Sequence, residues 1–378
     1  MAIQNYKVAY SLDGLIYTDL TNVVSFSANL GRRAQLDQYN ASSAQVVLRY
    51  PTGYASPITA LVTGTLIYIY NSGSRDIMFG RISNVEVKYG LPYVAGVGNA
   101  DYVTISVEGS FAQVGRLQGL NYSMIADTIA NQMTYGFTQT GFRMFWSQTL
   151  GGIGGSGPTM AATTISSTWG DWLNRSALTT NARMRDGAQD EITLLSPYSL
   201  AISTVNFSDT ANNATNQVYD QIEFESLADN YYTQVTVTPE SFGAQTVLKV
   251  GAVKPYRTLQ TNTFNASTTQ AADYANYLLS NYQTAKFAIG SISCLANAQS
   301  QFRLDRIGTN VGVHQMIGVQ VSVTFRGTTY QAVIEGVSVT GTPESSRYTY
   351  YLSGADLNAY LLLDNATFGR LDYNKLGY

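Results

Sequence analysis

The sequence predicts a mainly β protein with two similar antiparallel β-barrel domains and a helix-containing α+β domain inserted between them. Three observations support this fold class. Runs of alternating polar and apolar residues occur throughout the chain, helical spacing is confined to three stretches, and a pattern from the first half recurs in the second half. Alternation with a period of two is the pattern of a strand that buries one face.

The alternating runs are the predicted strands. Each is bounded by Gly, Pro, Asn or Ser, as expected in an antiparallel sheet or barrel. The stretch FRGTTY (325–330) has the composition of a hairpin turn, in which Gly327 supplies the left-handed residue. The clearest runs are TLIYIY (65–70), ISNVEVKY (82–89), DYVTISVEG (101–109), TQVTVTP (233–239) and GVQVSVTF (318–325).

Three stretches have apolar residues at helical spacing. The first is SMIADTIANQM, with Ser123 as its predicted N-cap. The second is TWGDWLNRSAL, which follows Thr168, and the third is TTQAADYANYLLSNYQ, which begins at Thr268 or Thr269. The predicted buried faces are Ile125, Ile129 and Met133 in the first helix, Trp169, Trp172, Leu173 and Ser176 in the second, and Ala271, Ala275, Leu278, Leu279 and Tyr282 in the third.

An internal echo sets the predicted domain organisation. Residues 64–89 and 318–340 both read as Gly, alternating strand, polar turn, strand, Gly and a further strand. This pattern equates Gly64 and Gly80 with Gly318 and Gly336, and residues 219–239 similarly resemble the opening pair 23–51. The predicted units are a first β-barrel domain (1–118), an inserted α+β domain (119–215), a second β-barrel domain with one helix near 270–282 (216–367) and a C-terminal tail (368–378).

The scarcity of charge is the most unusual feature of the composition. Charged residues make up 12% of the 378 residues, against about 25% in a typical soluble protein. Asn, Gln, Ser, Thr and 28 tyrosines replace them. Because the cores of protein interfaces are poor in charge and rich in aromatics, one explanation is a subunit whose surface is covered in an assembly. The other is a β-rich protein with a neutral surface.

The net charge and the lack of long apolar segments exclude several classes of protein. The net charge of −3 gives no basic field to attract nucleic acid. The start of the chain lacks the basic and apolar regions of a signal peptide, and no apolar run approaches the ~20 residues that span a bilayer. The sequence therefore predicts a soluble chain made in the cytoplasm, with no membrane span.

The sequence offers no recognisable catalytic, cofactor-binding or metal site. Spacing alone leaves a nucleophile pair of Cys294 and His314 open, but no orienting signature accompanies it. The Gly-rich stretch 151–158 lacks the Lys-Ser/Thr of a phosphate-binding loop. Asp190 and Glu191 would point to opposite faces of an extended chain, which suits a turn better than a pair of catalytic carboxylates.

Several weak motifs, taken in order, resemble the minor tail proteins of long-tailed bacteriophages. The resemblance covers most of 20–110 and 219–378, whereas 120–215 matches only loosely. The stretches that carry it are GRRAQLDQYNASSAQVVLRYPTGYASP, LVTGTLIYIYNSGSRDIMFGRISNVEV, NYYTQVTVTPE, KPYRTLQTNTF, QAADYANYLLSNYQ and YYLSGADLNAYLLLDNATFGRLDYNKLGY.

The resemblance implies a tail hub, also called a baseplate hub, at the virion tail tip. Such a subunit has two β-barrel domains and forms a homotrimer, so that three copies make a ring of six similar barrels. The implied partners are a six-fold distal tail or tail-tube protein on one side and a spike, central fibre or tape-measure protein on the other. DNA could pass through the ring lumen without sequence-specific contacts.

Two stretches are candidate assembly interfaces. Arg32 and Arg33 are expected at a hairpin tip with Asp37 nearby, where they either pair with carboxylates of a neighbouring subunit or form a solvated turn. The C-terminal stretch FGRLDYNKLGY carries three candidate docking side chains, Tyr373, Leu376 and Tyr378.

Two other functions compete with the hub. The tyrosines and three tryptophans allow a peripheral carbohydrate-binding tail module that contacts the host surface, with aromatic faces presented by NYY (230–232) and YTYY (348–351). Trp169 and Trp172 suit core packing better, and Trp146 alternates with Met144 as a strand residue does. A peptidoglycan hydrolase ranks third, because it needs an acid/base constellation that the sequence does not show. An outer-membrane barrel would also end in an aromatic residue, but the end of this chain does not alternate as a closing strand should.

Overall fold

A computed structural model describes most of the chain, with gaps between segments. The described residues are 6–51, 61–71, 76–90, 100–147, 156–187, 190–197, 202–203, 206–210, 213, 215–226, 231–283, 287–296, 313–342 and 345–354.

The N-terminal part consists of strands and one short helix. In the third strand Phe26, Ala28 and Leu30 are buried, whereas the residues between them are half-buried or exposed. This confirms that period-two alternation marks strands with one face in the core. The elements are β1 (Tyr6–Ser11), β2 (Thr18–Asp19), β3 (Val23–Gly31), β4 (Ser43–Pro51), β5 (Leu66–Asn71), β6 (Asp76–Lys88), β7 (Ala100–Glu108) and α1 (Ser110–Arg116).

The central part mixes short strands with two helices. The first predicted helix begins later than expected, because Ser123 lies in a strand paired with Thr164 and the Thr128 side chain caps the helix instead. The second begins as predicted, with Thr168 and Asp171 forming a capping box. The elements are β8 (Tyr122–Met124), β9 (Asp127–Thr128), α2 (Ile129–Thr140), β10 (Arg143–Ser147), β11 (Thr159–Met160), β12 (Thr163–Ile165), α3 (Trp169–Thr179), β13 (Arg183–Asp186), β14 (Glu191–Leu195), β15 (Asn206–Ser208) and β16 (Asn216–Val218).

The C-terminal part returns to long strands around one further helix. That helix begins at Thr268, as predicted, and the Ser267 side chain caps it. All five side chains of its predicted apolar stripe are buried. The elements are β17 (Gln221–Ser226), β18 (Gln234–Pro239), β19 (Gln245–Leu248), β20 (Thr258–Thr263), α4 (Thr268–Tyr282), β21 (Phe287–Ala296), a 3-10 helix (Val313–Met316), β22 (Gln320–Phe325), β23 (Thr328–Gly341) and β24 (Ser346–Gly354).

The two halves of the chain contain the same arrangement of strands. In the first repeat, defined as β3 to β7, the strands lie in the order β3-β4-β7-β6-β5. In the second repeat, defined as β17 and β21 to β24, the order is β17-β21-β24-β23-β22. Each strand of one repeat therefore has a counterpart at the same place in the other, and the mainly β fold with a helix-containing insert is confirmed.

A shared turn geometry supports the correspondence of the repeats. The Gly64 amide donates to the Ile82 carbonyl oxygen at 2.8 Å, and the Gly318 amide donates to that of Ile334 at 2.7 Å. Both glycines have positive φ, +92° and +84°, which favours glycine at these positions. The sequence echo correctly equated Gly64 with Gly318.

Two details of the predicted echo are wrong. Gly80 corresponds to Ala332, because Gly80 lies two residues before Ile82 and Ala332 lies two before Ile334. The strand within 234–239 is not the partner of β17, which pairs with β21 instead. Residues 231–283 form a separate three-stranded sheet, β19-β18-β20, covered by α4, so a long excursion separates the first two strands of the second repeat.

The repeats are joined edge to edge in one 14-stranded sheet. Residues Gly336–Gly341 of β23 pair antiparallel with Phe26–Gly31 of β3. A single hydrophobic core includes Phe26 and Val46 of the first repeat together with Val339 and Tyr350 of the second. Strand pairing within the described residues does not close either repeat into a separate barrel, because β23 continues into the sheet of the other repeat.

The central helices and short strands form a second core. Its buried side chains include Trp146, Trp169 and Trp172. The rings of Trp169 and Trp172 contact each other edge to face, with their centroids 5.6 Å apart. Phe207 of β15 does not belong to this second core, because it packs against Tyr350 in the core of the large sheet. The helix-containing unit therefore has its own interior and lies against the repeats.

Because Gly31 and Gly336 lie directly opposite each other at the junction of the repeats, a side chain at either position would separate the strands. A Cβ on Gly336 would come within 2.4 Å of the Arg32 carbonyl oxygen and 2.7 Å of that of Leu30. We expect Gly336→Ala to lower the free energy of unfolding by about 1–3 kcal/mol, as overpacked sites do. Urea unfolding measures this change. Gly354→Ala, where a Cβ meets no atom within 4 Å, is the control, and equal losses in both variants would contradict the prediction.

Candidate functional site

Three charged side chains meet where the repeats and the inserted unit join. Glu335 of β23 accepts hydrogen bonds from the Nε of Arg32 at 2.9 Å and from the Nε of Arg183 at 3.1 Å. The second nitrogens of the two guanidinium groups lie 2.9 and 2.7 Å from its carboxylate oxygens. We call Arg32, Arg183 and Glu335 the junction triad.

The junction triad is almost inaccessible to solvent. The Glu335 side chain is 0% exposed, and those of Arg32 and Arg183 are 4% and 6% exposed. Burial by itself would raise the pKa of Glu335, but the charges of Arg183 and Arg32 and a hydrogen bond from Ser353 together lower it to about 2. The carboxylate is therefore ionised at neutral pH and matched by donors.

Each member of the triad belongs to a different part of the molecule. Arg32 follows β3 of the first repeat, Arg183 begins β13 of the inserted unit, and Glu335 lies in β23 of the second repeat. The Arg32 guanidinium also covers the Tyr39 ring, 4.3 Å from its centroid, and donates to the Asp37 carbonyl oxygen at 3.3 Å. The triad thus fixes the relative position of all three units.

The structure corrects the prediction for Arg32. The sequence predicts a hairpin tip at which Arg32 either pairs with a carboxylate of a neighbouring subunit or lies in a solvated turn, but Arg32 is buried and its carboxylate partner is Glu335 of the same chain. The two residues are 303 positions apart. Only the pairing of β3 with β23 brings them together, so no local sequence signal could have identified the ion pair.

Arg33 is exposed, in contrast to Arg32, and borders an open groove of about 910 Å³. Its guanidinium lies 5.5 Å from the centroid of the Tyr351 ring. Asp37 is also exposed at this groove, and its side chain accepts a hydrogen bond from the Ala34 amide at 3.0 Å. Both therefore remain candidates for contact with a partner. The other three candidates, Tyr373, Leu376 and Tyr378, lie outside the described residues.

The floor of this groove is the polar face of the second repeat, and its charge is mainly negative. Glu223 and Glu225 of β17 are exposed there. Asp220 is paired with Arg347 at 2.6 Å. The remaining lining includes Ser291, Ser293, Thr349 and Tyr351.

A second buried carboxylate anchors the inserted unit to the first repeat. Asp186 of β13 accepts hydrogen bonds from the Ser42 amide at 3.0 Å and the Phe111 amide at 2.9 Å. Burial raises the pKa of this carboxyl group above its ordinary value, although both amides act in the opposite direction. At the surface nearby, Arg81 and Asp190 form an ion pair at 2.6 Å.

The described residues contain no group of three or more His, Cys, Asp or Glu side chains placed to hold a metal ion. Cys294 is buried in the main core, and burial raises the pKa of its thiol well above the ordinary value, which keeps it in the unreactive thiol form. The side chain of His314 lies outside the described part. Among the described helices, none has the length and apolar character needed to cross a membrane.

Comparison with solved structures identifies the fold. The 43 kDa tail protein of prophage MuSo2 from Shewanella oneidensis matches with a TM-score of 0.65 at 10% identity, over 93% of this chain and 99% of that chain. A tail protein from Neisseria meningitidis MC58 matches with a TM-score of 0.62 at 11% identity, over 92% and 97%. No protein family and no curated protein sequence matches the chain.

A third structure connects the fold with secretion systems. It is an E. coli component of the type VI secretion system, itself described as structurally similar to the T4 bacteriophage tail proteins gp27 and gp5. It matches with a TM-score of 0.52 at 10% identity, over 94% of this chain and 88% of that chain. The chain therefore has the fold of phage tail proteins, which confirms the mainly β tail-protein fold expected from the sequence resemblance.

The neighbouring arginines 32 and 33 provide a test of the junction triad. We expect Arg32→Met to lower the free energy of unfolding by about 3 kcal/mol, at the low end for a broken buried pair because Arg183 still faces Glu335. Arg33→Met should change it by less than about 0.5 kcal/mol, as at most surface positions. Urea unfolding of the two variants gives both values. Similar stabilities of the two variants would show that Arg32 is not the buried partner.

The pKa of Glu335 predicts a specific dependence of stability on pH. The folded value of about 2 lies below the ordinary value of 4.5, so the unfolded chain binds the proton more readily than the folded chain. The contribution of Glu335 is therefore complete above pH 4.5 and is lost as the pH falls through about 2. In Glu335→Gln the fall in unfolding free energy across this range should be smaller than in the wild type. If the unfolding free energies of Glu335→Gln and the wild type fell in parallel with decreasing pH, the prediction would be contradicted.

Proposed function

We propose that this chain is a structural hub subunit of a phage tail or a related injection particle. Three copies form a ring in which six similar β repeats alternate between first and second repeat. The observation that carries the proposal is the identical strand order of the two repeats. A trimer of two-repeat chains can match a six-fold ring on one side and remain three-fold on the other.

The similarity to tail proteins agrees with this role. The two matched tail proteins are covered almost completely, so the similarity concerns the whole fold and not one module. The proposed neighbours are a six-fold distal tail or tail-tube protein, and on the three-fold side a spike, central fibre or tape-measure protein. The chain would then act at the virion tail tip without catalysis, and DNA would pass through the lumen without specific contacts.

Exposed apolar side chains support extensive contacts with other subunits. The loop between β1 and β2 presents Leu12, Leu15 and Ile16, which are 73%, 84% and 72% exposed. Asp13 shapes this loop, because its carboxylate accepts hydrogen bonds from the Leu15 and Ile16 amides at 2.9 and 3.0 Å. Apolar side chains held in an ordered exposed loop are typical of an interaction surface.

The carbohydrate-binding alternative lacks comparable support. Trp146 and Tyr350 are buried in the hydrophobic cores, and so is Tyr348 beside them. Tyr231 and Tyr232 are half-buried, and two cations, Lys249 and Arg257, lie over the Tyr231 ring. Few of these aromatic faces are open to a sugar.

The oligomeric state tests the proposed function. Light scattering of the purified chain should give three times the 41.1 kDa chain mass, or, after mixing with the neighbouring tail proteins, the mass of a complex that contains three copies of the chain. Leu15→Ser combined with Ile16→Ser should weaken association without lowering the melting temperature of the monomer, because both side chains are already exposed to water. The copy number in intact particles should be three. A copy number of one or six would contradict the trimeric ring.

A further inference from the structure

The junction between the repeats uses one strand edge from each repeat, and no described strand pairs with the counterpart of either edge. Residues Gly336–Gly341 of β23 extend beyond β22 and pair with the outer edge of β3. In the first repeat, Asn84–Lys88 of β6 similarly extend beyond β5. Within the described residues this half of β6 has a strand partner only in β7, and β17, the counterpart of β3, has a strand partner only in β21.

Rows of paired residues across the sheet give the correspondence residue by residue. In the first repeat, Ser27 pairs with Gln45, Gln45 with Ser106, and Ser106 with Asn84.

In the second repeat, Glu223 pairs with Ser291, Ser291 with Tyr351, and Tyr351 with Gly336. Both rows end at the residue that follows a bulge in the long strand. Glu223 therefore corresponds to Ser27, and Asn84 corresponds to Gly336.

This correspondence fixes the register of a contact between copies. At the junction within the chain, Ser27 lies opposite Thr340, four residues after Gly336. The residue four positions after Asn84 is Lys88. If the second repeat of one copy contacts the first repeat of the next in the same way, Glu223 lies directly opposite Lys88.

The side chains at this register are complementary and accessible. Glu223 is exposed, and the Lys88 side chain is 73% exposed. An opposite-charge pair directly across two strands is favourable, whereas like charges are not. Two residues along, Glu225 falls opposite Glu86, a like-charge pair that is unfavourable by itself, and Lys88 is the neighbouring cation that offsets it. Lys88 already lies 3.5 Å from Glu86 in its own strand.

We propose that β17 of one copy pairs antiparallel with Asn84–Lys88 of β6 in a second copy, with Glu223 opposite Lys88. This inference rests on the proposed function and specifies its subunit contact. Each copy then supplies one edge and accepts one, which is a head-to-tail contact that closes into a ring when the rotation allows. The pairing would also cover two strand edges that otherwise invite unspecific association.

Cysteine cross-linking tests the register. In a Cys294→Ala background, Glu223→Cys combined with Lys88→Cys should form disulfide-linked dimers and trimers on mild oxidation, because Cβ atoms of opposed residues in antiparallel strands lie about 4.5–5.5 Å apart. The matched control combines Glu223→Cys with Tyr89→Cys. Tyr89 is also exposed, but a shift of one residue along a strand places it on the opposite face. At least a tenfold difference in cross-linking yield is expected between the two pairs.

The outcomes separate this inference from the proposed function. A trimer that forms without the 223–88 cross-link overturns the strand pairing and leaves the hub intact. Cross-linked open chains that never close at three copies support the pairing and contradict the trimeric ring. A chain that stays monomeric with neither cross-link overturns both.

As a second readout, Lys88→Glu should weaken association and Glu223→Lys should do the same. If the two side chains face each other, the double variant should associate more strongly than either single variant. Additive losses would contradict the register.

Discussion

The pairing of β3 with β23 is the contact on which the arrangement of the other units depends. It joins two repeats of equal topology into one sheet, and it requires glycine on both sides, at Gly31 and Gly336, because the backbones approach too closely for a Cβ. Immediately beside it, Glu335 is held between Arg32 and Arg183. A buried carboxylate between two guanidinium groups is stable only when all its partners are in place. The two glycines therefore allow the strands to approach closely, and the charged side chains favour this one pairing of β3 with β23.

Two groups of charged side chains in this charge-poor chain have different uses. Inside, Glu335 and Asp186 connect units that are distant in sequence, and each accepts hydrogen bonds from more than one unit or element. Outside, the charges named at β6 and β17 lie on strand edges, where they discourage unspecific pairing and can select a partner with the opposite charge. Most of the remaining polar face carries Ser, Thr, Asn, Gln and Tyr. Such a surface can be covered by neighbours without burying many ions.

Local patterns were enough for most of the elements but not for the connections between them. The capped helix at Trp169 and the apolar stripe of α4 were predicted correctly, because capping residues and spacing act within a few positions. The echo between Gly64 and Gly318 was also real, because each turn needs its own left-handed residue. The partner of β17 was assigned wrongly, because the true partner, β21, follows a separate sheet and helix. Alternation shows that a segment is a strand and says nothing about which strand it joins.

The sequence by itself determined the strand-rich fold, the positions of two of its helices, the repeat of its two halves and the scarcity of charge. Each of these depends on residues close together in the chain or on composition. Only the tertiary structure decided which of two adjacent arginines is buried: Arg32 meets Glu335 across 303 positions, whereas Arg33 stays at the surface. Two identical side chains in consecutive positions carry the same local signal. The two arginines differ because successive side chains point to opposite faces as the chain leaves β3. The Glu335 carboxylate of β23 lies on only one of these faces.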